Sequence, residues 1–454
     1  MDANAPQEFS TEVRGHYEEL PYPYRDVAQE GKQFNGSDGF NPTAFTHHGW
    51  QGKRDLRDGA RILIAGDGTG DASINWAESM LGSRAEIVAI DLSSQSIALA
   101  KARLAKRQLT NVTHHHMSIL DLPTAGLGSF DVIECTGVLH HLPDPAAGLA
   151  ALGSVLKDDG IMGLMVYAEY GRVAVYMLQD LFRRLSTPDM TRAEKLALAR
   201  AFLDNVPTTH WITVKNELFL GDIQWPDGSG IYDLLLHSTD RAYTVPQLYE
   251  WVQGAGLNLH GLFGDFISES LYEPGNYNRD PRILASLEGK DKPERQAIAE
   301  LMHGSMCKHN LYVTKQPKEP ASFADDMVIT YGLMHTLFVS FVAELSALLA
   351  QVNIGERVLF RPRPMATAEM MYLTRRPATI MLLQAIDGKR SIGEIVGLVS
   401  REAKLSRNDV RKDLHLLYTE MYDRLLVFLR HESVPPYFTA VEMLARLRAI
   451  GLIA

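Results

Sequence analysis

The 454-residue chain has only two cysteines, Cys135 and Cys307. That scarcity excludes a disulfide framework and a multi-cysteine zinc site, and two semi-buried thiols fit a reducing compartment. Positive charge is also short, with 45 Lys and Arg against 55 Asp and Glu and a net charge of −10. Phosphate backbones and anionic lipid call for a basic face, so neither a nucleic-acid nor a membrane partner is expected. No uninterrupted apolar stretch reaches the roughly 18 residues of a membrane span. The nearest, Leu333 to Leu349, is broken by His335, Glu344 and Ser346 and reads as a core helix. The N-terminus is polar and acidic and lacks the apolar run of a secretory signal, which predicts a cytoplasmic location. What is present is ordinary for a folded protein, 46% hydrophobic and 22% charged, in a chain long enough for two or three units.

Strand-like and helix-like segments alternate from Arg61 onward. Arg61 to Ala65 and Glu86 to Asp91 are short apolar runs, each followed by a turn and a helical stretch. Val112 to Met117, Phe130 to Glu134 and Gly160 to Tyr167 continue the series, with a helix over Ala146 to Leu156 and a turn at Lys157-Asp-Asp-Gly160. The alternation predicts an α/β fold with a parallel, doubly wound sheet and helices on both faces. Residues 172–235 turn helical and aromatic, as an insertion over the sheet. Tyr243 to Ala255 then reads as a helix, and Leu257 to Phe263 and Lys308 to Lys315 as late strands. The polar Gln316 to Ser322 separates units. The expected division is an N-terminal cap over 1–55, a sheet domain over 56–316 and a small winged-helix-like C-terminal domain over 320–454. The last contains helices at Pro377 to Ile386, Ser391 to Ala403 and Ser406 to Leu425, then the apolar Leu426 to Leu429.

The sharpest chemical signal is Ile62-Leu-Ile-Ala-Gly66-Asp67-Gly68-Thr69-Gly70-Asp71, with Asp91 at the end of the second strand. Glycines let the backbone turn sharply and approach a ligand, and a carboxylate at that strand tip can accept from both ribose hydroxyls. In a dinucleotide site the third glycine comes three residues after the second; here Gly70 comes two after Gly68. Asp71 would also repel a pyrophosphate at the helix N-terminus, whereas Asp67 or Asp71 suits a methionyl ammonium.

Four ordered segments over about residues 40–315 resemble the class I S-adenosylmethionine-dependent methyltransferases: Gly66 to Gly70, Asp91-Leu92, Ser118 to Pro123, and Phe130 to Pro145. The resemblance implies a Rossmann-like methyltransferase sheet and S-adenosylmethionine as cofactor. It sets the glycine loop with Thr69 against the methionyl part and ribose, Asp91 on the ribose hydroxyls, and Ser118 with Ile119 beside adenine. Leu92 belongs to the same cofactor segment, and the loop from Cys135 to His141 lines the methyl end. Two positions depart from the pattern. Ile64 stands where an acidic residue is common, and Ser118 replaces the frequent adenine-side aspartate, leaving Asp71 and Asp121 as substitutes.

On the acceptor side, His140 and His141 are of a type suited to proton removal near neutral pH, though His-His-Leu-Pro also shapes loops in this class. Tyr167-Ala-Glu169-Tyr170 follows the fifth strand, where the ligand crevice of an open sheet lies, so Glu169 is a candidate to hold or deprotonate an amine. Tyr17 and Pro21-Tyr22-Pro-Tyr24 can close over a sulfonium with aromatic faces. The expected catalytic set is His141, Glu169 and Tyr22. No metal site is expected, because His114, His115 and His116 alternate faces along a strand. The C-terminal segment Ile380 to Ile395 resembles small helix-turn-helix modules of peptide-modifying systems and the regulatory domains of bacterial protein-lysine methyltransferases. Arg361 and Arg363, with Arg375 and Arg376, can hold an acidic peptide or pack on the catalytic domain. Three functions remain open: methylation of a protein side chain, methylation of a small molecule, and a non-catalytic cofactor-binding regulator or scaffold.

Overall fold

The computed structural model describes residues 13–31, 39–214, 220–263, 269–331, 335–360, 371–437 and 440–453. Its centre is a mixed sheet of β1 (Arg61–Ala65), β2 (Glu86–Asp91), β3 (Val112–His116), β4 (Phe130–Thr136), β5 (Leu156–Ala168), β6 (Ala242–Tyr243), β7 (Asn258–Phe263) and β8 (Lys308–Thr314). The order is β3-β2-β1-β4-β5-β8-β7, with β6 on β5. The five strands from β3 to β5 run parallel, while β8 is antiparallel to both β5 and β7. Helices cover both faces, so β1, β2 and β4 are apolar almost throughout rather than alternating. Strand β5 begins earlier than the sequence suggests. Leu156 pairs with Phe130 and Ile161 with Val132, so 157–160 is accommodated as an irregularity in the strand instead of a turn before it.

Crossover helices Asp71–Ser79, Ser94–Lys106 and Pro145–Val155 follow β1, β2 and β4. Ser93 and Asp144 accept backbone N–H bonds at the starts of the latter two, as their positions ahead of the apolar periodicity imply. The insertion consists of Val173–Leu185, Arg192–Leu203, Ser229–Leu235 and two short turns, packed around Val175, Leu178, Phe182 and Ile231.

A further core spans Ala321 to Leu429. There β9 (Met327–Tyr331) pairs antiparallel with β12 (Val427–His431), and β10 (Arg357–Phe360) with β11 (Met371–Thr374). Between them lie helices Thr379–Ala385, Ile392–Ala403 and Arg407–Tyr422, close to the expected three. Both hairpin partners β10 and β11 precede the helices, and β12 returns to β9, an order unlike a wing placed after the third helix. In helix His335–Ala350, Leu345 and Leu349 are buried while Ala343, Glu344, Ala347 and Leu348 are exposed. Over residues 342–350 the helix is therefore half-covered. Arg361 and Arg363 lie outside the described residues. Arg375 and Arg376 are engaged within this unit, by the Val352 carbonyl and by Glu420.

The two ends of the chain share a core. Phe40, Phe45 and Trp76 pack in one cluster with Leu425, Phe428 and Tyr437. Helix Pro42–Trp50 is buried along most of its length, so residues 40–50 are interior rather than a cap. The Leu429 amide donates to His47 Nδ1 at 3.0 Å, and the Leu56 amide to the Tyr437 hydroxyl at 3.0 Å. Cutting one such buried aromatic to alanine costs roughly 3–5 kcal/mol in comparable cores.

Candidate functional site

The glycine loop is tied to the tip of β2. The amides of Gly66 and Asp67 donate to the Ile90 carbonyl at 2.9 and 3.1 Å, and the Gly68 amide donates to Asp91 Oδ2 at 2.7 Å. Gly68 and Gly70 have φ of 54° and 101°, a region that disfavours side chains. Asp91 Oδ1 accepts from the Ser93 amide at 2.8 Å. Each oxygen keeps a second lone pair, as two ribose hydroxyls require. Burial raises the Asp91 pKa to about 6. Leu92 stands half-buried beside it.

The carboxylates expected to greet an ammonium are already matched. Asp67 accepts from the Ser73 amide at 3.1 Å and the Ser73 hydroxyl at 2.7 Å, with His114 Nε2 at 3.2 Å. Asp71 is gripped by Arg25 and, at 2.7 Å, by Arg103. Facing cations from two other elements turn these side chains inward, which the linear sequence does not reveal. Asp121 is likewise used as a cap, accepting from the Ser118 amide at 3.0 Å. Ile119 sends its side chain into the core, whereas Leu120 is 45% exposed next to it. Cys135 is buried in the same core, where desolvation pushes its thiol pKa far up.

The N-terminal segment lies over the loop. The Thr69 hydroxyl donates to the Pro23 carbonyl at 2.8 Å, and the Ser93 hydroxyl to the Tyr17 carbonyl at 2.9 Å. A Cβ on Gly68 would stand 2.7 Å from the Tyr22 carbonyl oxygen, so this glycine permits the close approach.

Beyond the carboxyl ends of β4 and β5 these segments bring together a buried cluster of polar and aromatic side chains. His140 stacks on Tyr167 at 3.7 Å between ring centroids, and Arg172 lies 3.4 Å over the other partner's ring centre, that of Tyr167. His141 stacks on His237 at 3.9 Å and places Nδ1 2.8 Å from the Thr239 carbonyl. Tyr17 donates its hydroxyl to Asp233 at 2.9 Å, and Tyr22 reaches Asp222 at 3.4 Å. Burial holds the imidazoles of His140, His141 and His237 neutral, and raises the Asp233 pKa to about 7. Both nitrogens of His140 are buried without a hydrogen-bond partner. Such atoms are costly unless something occupies the space beside them.

Of the expected acceptor-side residues, His141 and Tyr22 join this cluster and Glu169 does not. Glu169 is exposed at the end of β5, where its amide is held by the Tyr243 carbonyl. The turn after it presses Gly171 onto the Met306 backbone, with a hypothetical Cβ only 2.2 Å from that carbonyl. Sequence reasoning missed Asp233, His237 and Asp240, which lie in or just after the insertion; no local motif marks them.

His141, Asp233 and His237 bring one ligand atom each within 4.8 Å of the others. Two imidazoles and a carboxylate are a plausible donor set for a transition metal. The hydrogen bonds of His237 oppose it. The Thr239 amide donates to His237 Nδ1 at 3.0 Å, which leaves the proton on Nε2, the nitrogen 3.4 Å from the Tyr17 hydroxyl. A metal-bound histidine instead donates through its second nitrogen to an acceptor. The triple His114 to His116 does not converge, since His114 meets Asp67 and His116 meets the Leu92 carbonyl.

A glycine loop against β1 and a carboxylate at the tip of β2 form the frame of a nucleotide-cofactor site. Residues 63–162 match the family model of a methyltransferase domain. The chain is 29% identical over 144 residues to a ubiquinone biosynthesis O-methyltransferase of Aromatoleum aromaticum, covering 32% of this chain and 57% of that one. It is 26% identical over 332 residues to an uncharacterized Synechococcus protein, covering 71% of this chain and 76% of the other. Among solved structures, PKMT2 from Rickettsia typhi in complex with AdoHcy shares the fold with a TM-score of 0.63 at 17% identity, over 91% of this chain and 78% of that one. The chain spans about half the length of the ubiquinone O-methyltransferases it matches. The chain carries a methyltransferase domain with the fold of the class I S-adenosylmethionine-dependent enzymes. No helix among the described residues is long and apolar enough to cross a membrane.

Proposed function

We propose that the protein transfers the methyl group of S-adenosylmethionine to a side-chain amine of a protein. The observation that carries this reading is the buried polar cluster beyond β4 and β5. It offers neutral imidazoles, tyrosine faces and a carboxylate, a lining suited to a cationic amine and its neutral form. The fold likeness to PKMT2, a protein lysine methyltransferase, supports the same reading, because it extends over 91% of the chain and so takes in the C-terminal unit.

In this reading the loop from Gly66 to Gly70 holds the methionyl end of the cofactor and Asp91 accepts from the ribose hydroxyls. Leu92, the Ser118–Ile119 backbone and the exposed Leu120 flank adenine. The loop geometry fits that group, since both Asp91 oxygens retain acceptor capacity beside the glycine loop. Bound there, S-adenosylmethionine supplies an electrophilic methyl carbon on a sulfonium. His141, Tyr22 and Tyr167 would align the acceptor and exclude water, which accounts for much of the rate when the nucleophile is intrinsically strong. Residues 56–316 would form the catalytic unit and 320–454 the unit that recruits the substrate.

The second reading, a small-molecule acceptor, is favoured by the 29–36% identity to ubiquinone O-methyltransferases, which is confined to stretches of 144 residues or fewer. The test is full-length protein with tritiated S-adenosylmethionine and a bacterial extract, separated afterwards into protein and small-molecule fractions. Label in protein that hydrolyses to methylated lysine is the expected result; label confined to small molecules ends the proposal. Deleting 320–454 is a poor substitute, because Phe428 and Tyr437 are part of the core around Phe45 and Trp76.

A further inference from the structure

We infer that Asp233 is the group that receives the acceptor's ammonium and takes its proton. This inference rests on the amine-methylation reading above and adds a residue to it. Helix Ser229–Leu235 is buried along its whole length, and Asp233 is 2% exposed on it. A buried carboxylate in a folded protein normally meets a cation. The neighbouring carboxylate Asp240 has one, accepting from Arg172 at 3.1 Å and from Gln179 at 2.8 Å. No described Lys or Arg forms an ion pair with Asp233; its described hydrogen-bond donor is the Tyr17 hydroxyl. The cluster therefore holds a buried carboxylate for which no described residue supplies a paired cation, and an ammonium supplies it.

The surroundings also select Asp233 over the other bases. From the N-terminal segment Tyr17 and Tyr22 face it, and from β5 Tyr167 does. The charged groups around it are Arg172 after β5, Asp222 before its own helix and Asp240 beyond it. His141 after β4 and His237 complete the titratable set, with His16 stacked on Tyr17. Burial depresses His16, His141 and His237, which leaves each imidazole a weak proton acceptor, whereas the same burial makes Asp233 a stronger one with a pKa of about 7. His237 Nε2–H directed at the Tyr17 oxygen keeps the Tyr17 hydrogen on Asp233.

The step balances simply. An N–H bond of the ammonium breaks, its electron pair stays on nitrogen, and the proton passes to an Asp233 carboxylate oxygen. The freed pair then attacks the methyl carbon as the carbon–sulfur bond breaks with its electrons on sulfur.

Asp233→Asn keeps the shape and the Tyr17 bond but cannot accept a proton. With the bacterial protein extract as acceptor, it should lower methylation by about 100-fold or more at pH 7.5. Calorimetric affinity for S-adenosylmethionine should stay within about twofold. The wild-type rate should rise roughly tenfold per unit up to pH 7, and Asp233→Asn should lose that limb. A rate within threefold of wild type, or the limb retained, overturns the inference. If the Asn variant fails to fold, Tyr17→Phe carries the test. Losing the hydroxyl donor destabilises the carboxylate, so the acid limb should move to higher pH, and an unmoved limb overturns the inference. Unchanged variants with methyllysine still formed sink the Asp233 role alone. O-methylated or small-molecule products from the wild type sink the amine reading and this inference with it.

Discussion

Glu30 is the strongest single test of how the cofactor loop is held. Its side chain, 3% exposed, accepts from Arg103 Nε and Arg107 Nε, each at 2.6 Å. Arg103 in turn donates to the Thr69 carbonyl at 2.8 Å and to Asp71 at 2.7 Å. Arg107 reaches Glu78 at 3.3 Å, and Glu78 meets Arg446 of the last helix at 2.9 Å. Alternating charges thus run from the glycine loop through two crossover helices to helix Ala440–Ala449. Removing one partner from a buried ion pair costs about 3–5 kcal/mol. Because both arginines keep a second carboxylate, Glu30→Ala should fall at the low end, about 3 kcal/mol. At about 2–4 °C per kcal/mol for a unit of this size, the melting midpoint by calorimetry should drop by roughly 6–12 °C. Affinity for S-adenosylmethionine should weaken as well, since Arg103 no longer has two fixed anchors while it holds Thr69. Glu30→Gln, retaining the shape without the charge, should fall between. A midpoint within about 2 °C of wild type, with unchanged affinity, would refute the idea that these ion pairs hold the loop.

Asp91→Ala should weaken S-adenosylmethionine binding strongly by calorimetry. In the wild type, affinity should decline about tenfold per unit as pH falls below 6, because the raised carboxyl of Asp91 is then neutral and accepts hydroxyls poorly. Gly68→Ala places a Cβ against the Tyr22 carbonyl at a φ of 54°, so binding should be lost while circular dichroism stays native. His47 is neutral and depressed to about 3 by burial against β12, so its contribution to stability is complete near neutral pH and is lost as pH falls from 6.5 towards 3. Denaturant unfolding at pH 5.5 should read about 1 kcal/mol less than at 6.5 from this group alone, and His47→Phe should remove that part of the slope.

The sheet was legible because its strands are short apolar runs that need no tertiary knowledge: β1, β2, β4 and β8 start and stop within a residue or two of the expectation. The glycine loop and Asp91 were legible for a related reason, since backbone approach and a strand-tip carboxylate are written locally. The acceptor side was not. Asp233 and His237 lie more than sixty residues beyond Tyr167 and acquire meaning only when the insertion folds back onto β5. Glu169 immediately follows a sheet strand, a position that marks the crevice in sequence, yet its side chain is exposed, and exposure is not written locally. The pairing of Asp71 with Arg25 and Arg103 was invisible for the same reason: the partners lie 46 and 32 residues away. The chain ends misled in another way. A linker at 316–322 suggested a separate tail, yet Phe428 and Tyr437 complete the interior of the first unit.

The fastening of residues 17–25 across the glycine loop has a kinetic consequence. The Pro23 and Tyr17 carbonyls are bonded to Thr69 and Ser93, so spent cofactor and its replacement trade places only when that segment swings clear. Chemistry and exchange are then separate events with separate clocks. In the proposed reaction, cofactor exchange waits on the opening of a short N-terminal segment, an event independent of bond making at the acceptor.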